Sequence, residues 1–149
     1  MGPGAMAERS KSTGEPVIAN LSAQESAVGV LIVDDQPVFR DLARLVLRTT
    51  EGFSSVGEVS SGEEALEIID EAKPQLVLVD VRMPGMGGIE TAQRIRDAHP
   101  EALIVLISIE DPDDLPSTAQ DSGATALVRK QDFGPAMLRD LWATYGTKA

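Results

Sequence analysis

The chain has 149 residues and a formal net charge of −11, with 24 acidic side chains against 13 basic ones. That length suits one domain able to bury roughly two-thirds of its unfolded surface, and the charge argues against duplex DNA or an anionic membrane as a direct partner. There is no cysteine, which removes disulfide and thiol chemistry, and a single histidine, His99, which leaves no second imidazole for a zinc site.

Residues Met1–Met6 read as a remnant of an expression tag, and residues 7–27 form a polar stretch without sustained periodicity, expected to be a flexible arm. One folded domain is expected over 28–146, with a short tail at 147–149. No apolar stretch reaches the length of a transmembrane helix and no signal-peptide pattern is present, so a cytoplasmic protein is expected.

Val28–Val33 is a continuous apolar run, the pattern of a strand buried on both faces. A helix opens at Pro37, a residue favoured in the first helical turn, with Val38, Leu42, Leu45 and Val46 as its expected apolar stripe. Phe53–Val59 reads as a weaker strand at a sheet edge. Ser61 is a plausible N-cap for a helix whose Ala65, Ile68, Ile69 and Ala72 recur on one face, and Pro74 ends it.

Leu76–Val79 is the second strongly apolar run. The loop from Met83 to Gly88 leads to a helix with Ile89, Ala92 and Ile95 inward, and His99 before Pro100 is expected on the surface. Leu103–Ile107 and Ala124–Val128 are the fourth and fifth strands, and the last helix is expected to bury Leu138, Leu141, Trp142 and Tyr145. Between these strands Asp111–Pro116 carries two prolines. An interior proline costs about 3 kcal/mol, so a short fourth helix starting at or after Leu115 is expected. Five strands alternating with helices predict an α/β protein with a doubly wound parallel sheet.

The ends of the strands carry the chemistry. Asp34 and Asp35 follow the first strand and Asp80 the third, while Ser108 follows the fourth and Lys130 lies just past the fifth. Ligands bind beyond the carboxyl ends of such strands. Were the first and third strands neighbours, three carboxylates would meet, each pair repelling by roughly 4 kcal/mol at 4 Å and an effective dielectric near 20. Such a cluster calls for a cation, and an all-oxygen site suits Mg²⁺ or Mn²⁺.

This set, with Met83-Pro84 and Gly88 after Asp80 and Gly123-Ala124 before Lys130, resembles the receiver domain of two-component response regulators over about residues 28–146. The resemblance implies a flavodoxin-like sheet in the order 2-1-3-4-5 with helices on both faces. It implies Asp80 as phosphoacceptor, Asp34 and Asp35 as the acidic pair that holds Mg²⁺, and the backbone carbonyl of Arg82 as a further ligand. Ser108 matches the hydroxyl that tracks the phosphoryl group, and Lys130 the family's lysine. The implied partners are a sensor histidine kinase or phosphotransfer protein, and an output domain or protein at the face of the fourth helix, fifth strand and fifth helix. A phosphorylation-dependent homodimer is a further implied state. Self-phosphorylation and slow self-dephosphorylation are then the chain's only catalysis.

The chain departs from the family at the switch position three residues before Lys130, where an aromatic is usual and Leu127 stands, and after Lys130, where Gln131 replaces the common proline. Arg82, Ile109 and Glu110 are expected to rim the site, and an Arg82–Glu110 contact beside Ile109 would hinder hydrolytic water. A degenerate receiver working as an interaction module is the alternative. A phosphohydrolase using Asp80 is a third reading, disfavoured because Arg82 stands where such enzymes carry a second acid. No helix-turn-helix or basic stretch follows, so no direct nucleic-acid binding is expected. The chain is expected to be a stand-alone receiver or the leading part of a longer regulator, one attached to a helix-turn-helix domain by weak analogy.

Overall fold

The structure, a computed structural model, describes residues 27–146. The arm expected up to residue 27 lies outside the described residues apart from Ala27 itself, as does the tail at 147–149. Five parallel strands, β1 (Val28–Val33), β2 (Phe53–Val59), β3 (Leu76–Asp80), β4 (Leu103–Ser108) and β5 (Ala126–Arg129), form one sheet in the order β2-β1-β3-β4-β5. Helices α1 (Pro37–Thr49), α2 (Gly62–Ala72), α3 (Gly88–Ala98), α4 (Ser117–Gln120) and α5 (Pro135–Tyr145) connect or follow them.

Alternate side chains of the inner strands feed two cores. Val30, Ile32, Leu76, Leu78, Val105 and Ile107 pack with residues of α1 and α5. Leu31, Val33, Val77, Val79, Ile104 and Leu106 pack with residues of α2, α3 and α4. β1, β3 and β4 are buried along their whole length, which is why they read as unbroken apolar runs. β2 lies at an edge, its ladder to β1 shifts between Val30 and Leu31, and much of it is open to water.

Local chemistry sets the helix starts. Pro37 occupies the first turn of α1. Ser61 caps α2 by accepting from Glu64 N at 3.1 Å, while Glu64 Oε1 accepts from Ser60 N at 2.8 Å, a reciprocal arrangement close to a capping box. Gly88 opens α3 directly under the end of β3. A Cβ there would collide with the carbonyl oxygen of Asp80 and with Val81 Cα, so only glycine lets the helix start this close to the strand end.

Three expectations need correction. The core face of α1 is Phe39, Ala43, Val46 and Leu47, whereas Val38 and Leu45 are 82 % and 52 % exposed and Leu42 is also exposed. Both stripes have helical spacing, and the sheet's position chose between them. In α5, Leu138 and Leu141 are buried, but Trp142 is only half-buried where it packs on the core, and Tyr145 is exposed. β5 starts at Ala126 and not Ala124: Gly123 adopts φ 90° and Ala124 N–H is held by Ser122 Oγ, so the turn persists through an apolar stretch. His99, expected on the surface, is partly exposed there, with Nε2 2.9 Å from the exposed Asp70 Oδ1.

The expected short helix is present as the four residues of α4, preceded by a one-turn 3₁₀ helix at Pro112–Asp114. The assignment of the α1 faces has a direct check in urea unfolding. Leu47→Ala loses about 2–5 kcal/mol as a fully buried leucine, and Leu45→Ala loses less than about 1 kcal/mol. The opposite ranking would reverse the two faces.

Candidate functional site

Register brings the site together. Val33 pairs with Val79, so the next residues, Asp34 and Asp80, end adjacent strands at the same rim. Asp80 pairs with Ile107, so Ser108 stands one step further on the neighbouring strand. Ser108 pairs with Arg129, and Lys130 follows at once. One carboxylate oxygen from each of Asp34, Asp35 and Asp80 lies within 4.8 Å of the others. Asp34 and Asp80 are buried, and Asp35 is half-buried at the rim.

Lys130 counters this charge. Its Nζ is 2.8 Å from Asp34 Oδ2 and 3.6 Å from Asp80 Oδ2. The ammonium also donates to Gln36 Oε1 at 3.3 Å and sits 4.6 Å from the centre of the Phe39 ring. Asp34 Oδ1 accepts from Gln36 N at 2.8 Å. Its buried Oδ2 has the Lys130 charge beside it but no hydrogen bond of acceptable geometry among the described residues. Burial, and then the neighbouring charge of Asp34, push the Asp80 carboxyl up to about 6, against the pull of Lys130 and the N–H of Arg82.

These residues fit a divalent cation. The donors are all hard oxygens, they converge from two strands, and Asp34 leaves a buried oxygen without a hydrogen bond.

The second half of the rim is the loop after β4. Ser108 is buried, and its Oγ accepts from Glu110 N at 2.9 Å. Glu110 makes a two-pronged pair with Arg82, at 2.9 Å from Nε and 3.1 Å from Nη2. That pairing holds the Glu110 carboxyl below its usual range. Ile109 is 72 % exposed between them in sequence. Leu127 is half-buried against the core shared with α2 and α3.

Every site residue expected from the sequence is therefore at this end of the sheet or, in the case of Leu127, two residues back along β5, where it pairs with Leu106. Sequence reasoning missed Gln36 and Phe39, which hold Lys130, and Asp111 and Arg129, which lie 3.8 Å apart beside the Ser108 loop. Phe39 had a signal, since 39, 43, 46 and 47 make a helical stripe. A groove of about 720 Å³ opens elsewhere, around Pro74, Leu103 and Trp142, and shares no residue with the carboxylate cluster.

The family model for the response regulator receiver domain matches residues 30–141. The chain belongs to that family. It is 35 % identical over 103 residues to the response regulator GacA of Pseudomonas viridiflava, covering 69 % of this chain and 48 % of that protein. It is 33 % identical over 110 residues to the nitrate/nitrite response regulator NarL of Escherichia coli K12, covering 74 % and 50 %. The chain thus spans about half the length of the curated relatives it matches.

Among solved structures, the receiver domain of a NarL response regulator from Mycobacterium tuberculosis is 29 % identical, with a TM-score of 0.73 over 83 % of this chain and 99 % of that one. A LuxR-family response regulator from Aurantimonas is 28 % identical, with a TM-score of 0.71 over 80 % and 84 %. Receiver domains are signalling modules, and the strand order found here is theirs. No helix among the described residues is long and apolar enough to cross a membrane.

The crowding of charge has a thermodynamic consequence. Asp80 titrates higher folded than its ordinary value of 3.8, so its ionised form lowers stability at neutral pH; the penalty shrinks as pH falls through about 6 and vanishes below about 4. With divalent ions chelated, Asp80→Asn gains about 1–2 kcal/mol in urea unfolding at pH 7. That gain is expected to fade at pH 5, and a constant or absent gain would contradict the charge repulsion.

Proposed function

We propose that this receiver accepts a phosphoryl group on Asp80 from a sensor histidine kinase or phosphotransfer protein, and that Mg²⁺ (or Mn²⁺) serves the reaction. The observation that carries the reading is the meeting of Asp34, Asp35 and Asp80 with Lys130 and Ser108 at one rim.

The ionised Asp80 oxygen attacks phosphorus in line. A P–O bond to Asp80 forms as the bond to the donor nitrogen breaks, and the imidazole leaves with that electron pair. Lys130 supplies a point charge to the transferring oxygens and Ser108 a hydroxyl donor. When bound by Asp34, Asp35, Asp80 and the Arg82 carbonyl, the divalent ion adds its charge against those same oxygens.

Phosphorylation replaces one carboxylate charge by a more anionic group with three acceptor oxygens. Ser108 then turns toward it and Leu127 repacks, which alters the face of α4, β5 and α5 for an output domain, a protein partner or a second copy. Leucine fills space there without an aromatic's size or a hydroxyl. The Arg82–Glu110 pair, with Ile109 beside it, shields the acyl phosphate from hydrolytic water.

Incubation with Mg²⁺ and acetyl phosphate followed by mass spectrometry is the test. The chain gains the mass of one phosphoryl group, Asp80→Asn gains none, and Lys130→Met slows the gain at least tenfold. A degenerate receiver remains the second reading because Leu127 stands at the switch and α4 has only four residues. It predicts no mass gain in the unsubstituted chain. Arg82→Ala with Glu110→Ala speeds loss of the phosphoryl group several-fold in the same assay, and an unchanged rate removes the shielding role.

A further inference from the structure

Ser108 and Arg129 are register partners at the ends of β4 and β5. The loop that leaves Ser108 turns back across β5, where its 3₁₀ turn at Pro112–Asp114 packs against that strand. Arg129 is the one polar residue in β5, and its guanidinium reaches this loop. Nη2 donates to Gln131 Oε1 at 3.2 Å, and Nη1 lies 3.8 Å from Asp111 Oδ2. Nε is shut off from solvent and finds no acceptor among the described residues.

Arg129 is thus poorly satisfied. At 3.8 Å the Asp111 contact is beyond hydrogen-bond range, and a buried donor without an acceptor is unfavourable. A shift of Asp111 by about 1 Å would turn the contact into a charge-assisted hydrogen bond. Asp111 stands three residues after Ser108, whose Oγ presently accepts the Glu110 N–H. The Ser108 hydroxyl itself is directed at Glu110 Oε1, 3.5 Å away, so an anion at Asp80 that accepts from it draws that donor away from Glu110, and the loop moves with it.

We propose that Arg129 is a positioning residue for the β4–α4 loop: its ion pair with Asp111 is half made in the present arrangement and completes when the site is filled. The inference rests on the reading of Asp80 as phosphoacceptor. By linkage, a contact made only in the filled state raises affinity for the filling group by the same factor.

Beryllofluoride with Mg²⁺, titrated calorimetrically into the whole chain, is the probe. Arg129→Met and Asp111→Asn each weaken it about two- to fivefold, the range of a partly exposed ion pair. The double variant is no weaker than either single one, because both remove one interaction. Mg²⁺ alone binds all variants as it binds the parent. Unchanged or tighter beryllofluoride binding, or additive losses, would overturn the proposal. Asp111→Asn, on a half-exposed loop, carries the test if Arg129→Met does not fold. If the parent chain fails to bind the probe at all, the Asp80 reading falls. If only Asp80→Asn loses it, this inference falls alone.

Discussion

Three carboxylates within 4.8 Å of one another set the terms for everything else at this end of the molecule. Such an arrangement is uphill by itself, and the fold holds it through the β1–β3 ladder, whose residues are fully enclosed by two cores. The carboxylates cannot move apart without disturbing buried strands. Relief comes from Lys130, which arrives from the far edge strand and is steadied by Gln36 and the Phe39 ring of α1. The protein thus spends stability on a buried carboxyl with a raised affinity for protons, a trade expected at functional sites.

The rim has a rigid half and an adjustable half. Asp34, Asp80 and Ser108 sit on or next to strand ends whose ladders fix them. The β4–α4 loop, by contrast, has a one-turn 3₁₀ helix and a four-residue α4, with Ala119 as α4's one buried side chain. Its ties are side-chain contacts: Glu110 to Arg82, and Asp111 toward Arg129. Long backbone ladders resist displacement, whereas a few exposed ion pairs exchange partners at small cost. A loop held in this way shifts more readily than the strand ends it follows.

The sequence alone was enough for the element order, the two-faced sheet and the five polar strand ends. Unbroken apolar runs have one good solution, a strand buried on both sides, and a residue directly after such a run is carried to the carboxyl rim by chain geometry. The family resemblance supplied the strand order, and with it the neighbours β1 and β3. Local chemistry at Pro37 and Ser61 was equally readable, because caps depend on residues a few positions apart.

What the chain's pattern left undecided were choices between local equivalents. The α1 stripes at 38, 42, 45 and at 39, 43, 46, 47 obey one period, and only docking on the sheet buried the second. Trp142 and Tyr145 share a helix with Leu138, but Trp142 is only half-buried on the core and Tyr145 is open to water. The pairings of Lys130 with Phe39 and Gln36, and of Arg129 with Asp111, join residues distant in sequence, for which one sequence carries no signal. Periodicity along the chain settled which residues form elements and where the charged tips fall; the choice of face and of partner belonged to tertiary packing, because burial depends on what lies opposite.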